Sequence, residues 1–151
     1  MDVLYGGIIL EFKNKLEEKG LIFNELEGKA GDFKKKWEEV FLNNISKSQK
    51  KKIKIDSFLW HIFSYEKLPC LKGEEAIEAF DKQTKKECYI FEQHEDNAFK
   101  VMNTHKLKAK DITTELGEYL SDIYIVSSCF TWTYIVTHEK ECGPYFYKKE
   151  D

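Results

Sequence analysis

Arginine is absent from this chain of 151 residues: all 24 basic side chains are lysine, set against 27 carboxylates for a net charge of −3. Arginine supplies the planar two-pronged donor that recognises phosphate, carboxylate and guanine, so its absence argues against a nucleic-acid or phosphate clamp. Proline is scarce at two residues and glycine at eight, which leaves little room for a long linker. Cysteine is limited to Cys70, Cys88, Cys129 and Cys142, with no C-x-x-C among them. A chain of this size can build a core without covalent staples, so scattered thiols point to reduced side chains and a cytoplasmic location. No run reaches the roughly 18 apolar residues of a membrane span. The apolar opening over residues 3–10 has no basic flank and no small-residue cleavage site, so it does not read as a signal peptide. Nucleophile and nucleotide motifs are missing too: there is no G-x-S-x-G, no P-loop and no G-x-G-x-x-G.

What is present is apolar and aromatic. Eleven Phe, eight Tyr and three Trp make up 15% of the chain, enough for a packed core despite 34% charged residues. The first half has a helical period. Residues 11–19 carry Phe12 and Leu16 on one face, with Gly20 as a stop. Residues 21–25 suit an edge strand. Asp32 reads as an N-cap for a helix with Phe33, Trp37, Val40 and Phe41 on one stripe. Ser46 and Gln49 match a capping box opening a helix with Ile55, Phe58, Leu59, Ile62 and Phe63 inward, ending near Tyr65 ahead of Pro69. A short helix fits 74–82.

The second half changes to a strand period. Residues 88–93 and 98–102 read as strands around a polar turn, and 123–126 and 130–138 as a second pair. In the last of these, Phe130, Trp132, Tyr134 and Val136 alternate with Thr131, Thr133 and Thr137, the pattern of a sheet with one covered face. Residues 105–121 are irregular, with one helical turn from Asp111, and 145–147 suit a final edge strand. The expectation is one α+β domain over 1–151, with N-terminal helices packed on a mainly antiparallel sheet of four to five strands from the C-terminal half.

Few residues stand out chemically. Trp60 and His61 fall off the apolar stripe of their helix. Trp60 is explained by burial beneath residues 105–121, or by a role as an interface anchor. His61 and Glu66 form a weak acid–base candidate, because five residues is a poor helical spacing. His94 with Glu95 and Asp96 resembles a metal cluster, yet adjacent turn residues point apart and no metal or cofactor is expected. His138 and Glu139, at a strand end and on the face of Trp132, are the best catalytic candidates, but no H-E-x-x-H surrounds them. A third group would have to come from His61, His94 or His105. Cys88 and Cys129 lie in or beside apolar strands, where burial quiets a thiol. The basic run Lys47–Lys54 lacks interleaved aromatics and reads as a solvated helix face.

Several stretches together carry a likeness: residues 36–41 (KWEEVF), 58–64 (FLWHIFS), 68–71 (LPCL), 79–81 (AFD), 122–126 (DIYIV), 130–134 (FTWTY), 137–139 (THE) and 143–146 (GPYF). They resemble a small family of low-GC Gram-positive bacteria known as domain of unknown function 4275. The likeness covers residues 32–147, with the first thirty residues more variable. Lysine as the sole basic residue fits an AT-rich genome. The resemblance implies no activity and no catalytic residues.

Two function classes follow. One is a small non-enzymatic protein-binding module, such as an immunity-type antitoxin whose acidic surface meets a basic toxin, with Trp60, Tyr65, Tyr145 and Tyr147 as binding residues. The other is a hydrolase or metal-assisted enzyme centred on His138 and Glu139. The second requires at least three of His138, Glu139, His61, His94 and Glu66 to converge. Whether the chain is a monomer or a homodimer is open.

Overall fold

The computed structural model of the chain describes residues 13–112, 122–139 and 142–149. A helix α1 occupies residues 13–18. It is followed by β1 (Ile22–Leu26), α2 (Ala30–Phe41), α3 (Lys47–Lys52), α4 (His61–Ser64), β2 (Leu71–Lys72) and α5 (Glu74–Lys82). The second half supplies β3 (Glu87–Glu92), β4 (Ala98–Met102), two 3₁₀ turns (Thr104–Lys106 and Ala109–Asp111), β5 (Ile123–Ser127), β6 (Trp132–Val136) and β7 (Tyr145–Lys148). The helical turn expected from Asp111 falls largely in residues 113–121, outside the described residues.

Among the described residues, all strands join one antiparallel sheet, in the order β1-β4-β3-β5-β6-β7-β2. The class is α+β, but the sheet has seven strands, more than the four to five expected. The first half supplies both edges, β1 against β4 and β2 against β7. Because β2 covers it, β7 is not the last edge strand.

The single covered face is a second correction. Every residue of β5 is buried, and a strand buried on both faces reads as an apolar run without alternation. Ile123, Ile125, Trp132 and Tyr134 pack towards Leu16, Phe80, Leu107 and Ile112. Tyr124, Val126, Ile135 and Tyr145 pack towards Trp37, Phe41, Trp60 and Phe63. The sheet is therefore the middle of three layers, with α1 and α5 on one side and α2–α4 on the other. Phe130 does not share the Trp132 face: it sits in a turn at φ 55°, its ring 6.4 Å from both Phe33 and Phe41.

Helix ends explain the remaining differences. After α1, Leu21 N–H reaches the Leu16 carbonyl (3.2 Å) and Gly20 N–H the Glu17 carbonyl (3.0 Å). That is a Schellman closure around a left-handed glycine at φ 95°. The same two bonds recur at Lys54 and at Glu66. Ile55 reaches Lys50 and Lys54 reaches Lys51; Lys67 reaches Ile62 and Glu66 reaches Phe63. Lys54 at φ 55° and Glu66 at φ 57° thus divide and close the long helix expected from Ser46 to Tyr65. Ser46 still caps α3, its hydroxyl accepting from Gln49 N–H at 3.2 Å. The N-cap of α2 is Lys29 in place of Asp32, which lies in the first turn. There its carboxylate faces the positive end of the helix dipole.

Candidate functional site

Antiparallel pairing brings the end of β3, the start of β5 and the end of β6 to one end of the sheet, since Glu92 lies opposite Ile123 and Ile123 opposite Val136. Glu92, Gln93 and Asp122 are all buried there. Asp122 Oδ1 accepts the His138 backbone N–H at 2.7 Å and its ring Nδ1–H at 2.9 Å. The outer nitrogen, Nε2, lies 3.6 Å from Glu139 Oε2. Strand alternation ends with β6 at Val136, so His138 leaves the Trp132 face and packs instead against Phe58 (5.3 Å between centroids, tilted) and edge-on to Trp60 (6.1 Å).

The loop ahead of α4 is anchored on the same polar groups. Gln93 Oε1 accepts Leu59 N–H at 3.1 Å and the Tyr124 hydroxyl, and that hydroxyl accepts Trp60 N–H at 3.2 Å. Gln93 N–H in turn reaches the Asp122 carbonyl at 3.1 Å. Phe58 is thereby fixed among three imidazoles, 5.2 Å from His61, 5.5 Å from His94 and 5.3 Å from His138. His61 donates from Nδ1 to the Ile53 carbonyl at 2.6 Å. Three of the four histidines are thus gathered around Phe58, and His105 is exposed on a 3₁₀ turn.

Other candidates fall elsewhere. Glu66 points to Lys72 (3.5 Å), not to His61. No three His, Cys, Asp or Glu side chains are grouped to hold a metal ion among the described residues. The basic run lies on and just beyond the short helix α3, where Lys50 pairs with Glu38 at 2.8 Å. Trp60 is buried on the α2–α4 side. Leu107, Ala109 and Ile112, the apolar part of the segment expected to cover it, pack on the opposite face.

Burial governs the titration of the site. Desolvation first, then the charges of Glu95 and Asp122, pushes the Glu92 carboxyl up to about 8. Tyr124 is also raised, chiefly by burial, and Lys34 is lowered by it. Cys88 is pushed up to about 11 by burial, as expected for a quiet thiol. Cys129 is exposed instead, and the Thr131 hydroxyl holds it below the ordinary thiol value.

The four aromatic candidates form a continuous run of rings. Tyr65 stacks on His61 (5.1 Å), His61 meets Trp60 (4.8 Å) and Trp60 stacks on Tyr145 (6.4 Å). Tyr145 meets Phe63 (5.7 Å), Phe63 meets Tyr147 (5.8 Å) and Tyr147 meets Phe41 (5.8 Å). Tyr65 is 49% exposed at one end, while Trp60 and Tyr145 are buried beneath. At the other end, Tyr147 lines a cavity of about 680 Å³ between the end of α2, residues 68–71 and β7. Phe58, Gln93, Tyr124 and Asp122 were missed because each acts across the fold, and no local spacing marks them.

No curated protein and no solved structure matches the chain. The family described as Domain of unknown function (DUF4275) matches over residues 10–146, beginning well before residue 32, and the chain belongs to that family.

Proposed function

We propose that the chain is a small non-enzymatic protein-binding module, with an immunity-type antitoxin as the sharpest form of that reading. The observation that carries it is the rigid run of rings, exposed at Tyr65 and opening on the groove at Tyr147. Interfaces draw their energy from aromatic anchors that are already immobilised, because little side-chain entropy remains to be lost. Four scattered cysteines with no C-x-x-C spacing support a reducing, cytoplasmic setting. The test is co-purification with the product of the neighbouring gene. A stoichiometric complex is expected, weakened by Tyr65→Ala and by Leu71→Asp, since both side chains are exposed. Absence of a partner, or a complex indifferent to both variants, would defeat the reading.

A second reading rests on one geometry. Asp122 orients His138 through Nδ1 and leaves Nε2 outermost, the arrangement of a general base. Proton transfer at Nε2 beside Glu139 is the chemistry it would supply. Activity against a panel of ester and amide substrates, lost in His138→Gln and Asp122→Asn, would support this reading over the first.

A further inference from the structure

The groove beside β7 reverses the charge balance of the chain. The chain carries a net charge of −3, yet among the described residues Lys148 and Lys149 line the groove and no Asp or Glu does. Lys149 Nζ is held at the lip by the Val40 carbonyl, 3.1 Å away, at the end of α2. Leu71, 40% exposed, stands on the opposite wall.

Strand register adds a backbone feature. Leu71 pairs with Phe146 and Lys72 with Tyr145, so two further steps would set Pro69 against Lys148. Proline has no N–H to give, and β2 stops before it. Lys149 N–H donates to the Thr131 carbonyl at 2.8 Å on the β6 side. By alternation, Lys148 turns its own N–H and C=O the other way, towards the groove. An edge backbone pair, apolar walls and two ammonium groups therefore share one opening.

We propose, resting on the binding-module reading above, that this groove takes an extended acidic segment of the protein partner. The segment continues the line of β2 along Lys148, seats alternate apolar side chains against Leu71 and Phe41, and brings its carboxylates to Lys148 and Lys149. Strand addition gives backbone affinity and alternate pockets give specificity. The lysines choose the charge.

A random-peptide library displayed on phage, selected on the full chain, tests this. The expected winners alternate Asp or Glu with aliphatic residues. A synthetic copy of the winner should bind about tenfold more weakly or worse to the folded double variant K148E/K149E, and lose affinity as salt rises. Lysine-rich winners, winners with helical spacing, no enrichment, or affinity indifferent to the charge reversal would each overturn the proposal. The two readings separate cleanly. A natural partner whose complex depends on Tyr65 and Leu71 but ignores K148E/K149E removes only the acidic segment. A partner absent altogether removes the binding module itself.

Discussion

On the α1/α5 side of the sheet, Phe80 stacks on Tyr134 at 4.3 Å and meets Trp132 edge-on at 5.7 Å. These rings meet by contact and apolar burial, while the buried polar bonds of that layer lie beside them, Lys85 Nζ–H donating to the Phe80 carbonyl at 2.7 Å and Cys88 meeting Thr104 Oγ1. On the α2–α4 side the rings also carry polar bonds. Trp37 Nε1–H donates to Thr133 Oγ1, Tyr124 bonds Gln93, and His138 bonds Asp122. Apolar packing tolerates a change of partner of similar volume, whereas a buried polar bond demands one geometry. In the α2–α4 layer the polar bonds are made by the rings themselves, and they fix the 58–61 loop and the rings above it in one arrangement.

The largest effects should test whether the layers are equivalent in bulk. Phe80→Ala and Trp37→Ala each remove a fully buried ring, and each should cost about 3–5 kcal/mol in denaturant unfolding. Differences appear with conservative changes: Trp37→Phe should cost about 1–2 kcal/mol more than Phe80→Leu, because it leaves Thr133 Oγ1 without its donor. Equal costs would mean that the polar bonds add nothing.

The acidic corner comes next. Between the ordinary glutamate value of 4.5 and about 8, the folded state holds a proton on Glu92 that the unfolded chain has released. The stability contributed is therefore complete below 4.5 and is lost as pH rises through about 8. Glu92→Gln should flatten that slope. Asp122→Asn should move its upper end downward in pH, since the Asp122 charge helps raise Glu92. A melting-temperature series from pH 4 to 9 reads both, and a slope unchanged in Glu92→Gln would contradict the assignment.

Smaller still are the backbone changes. Lys54 and Glu66 hold left-handed conformations that disfavour side chains, so Lys54→Gly and Glu66→Gly should each stabilise by about 0.5–1 kcal/mol. Tyr65→Ala should leave stability within about 0.5 kcal/mol while weakening the complex.

The same two residues show where the sequence was readable. Gly20 announced its helix end because glycine is the residue a left-handed cap favours. Lys54 and Glu66 make identical closures from inside charged stretches, so the apolar stripe ran on past them to suggest one long helix. Strands β3 to β6 were legible from apolar period and turn chemistry. The two-residue β2 has no period; the edge strand read at residues 21–25 is β1, whose neighbour β4 is set by register alone. At the site, Trp60, His61 and His138 drew attention as exceptions to local pattern. Their meeting around Phe58 depends on Asp122 and Gln93, which lie at strand ends distant in sequence and joined only by register.

Hydrogen–deuterium exchange on the complex with the neighbouring-gene product tests the recognition surface most directly. Slowed exchange is expected at residues 68–71 and 146–149, with α5 and the 3₁₀ turns unchanged. Protection confined to α5 and the opposite layer would contradict it.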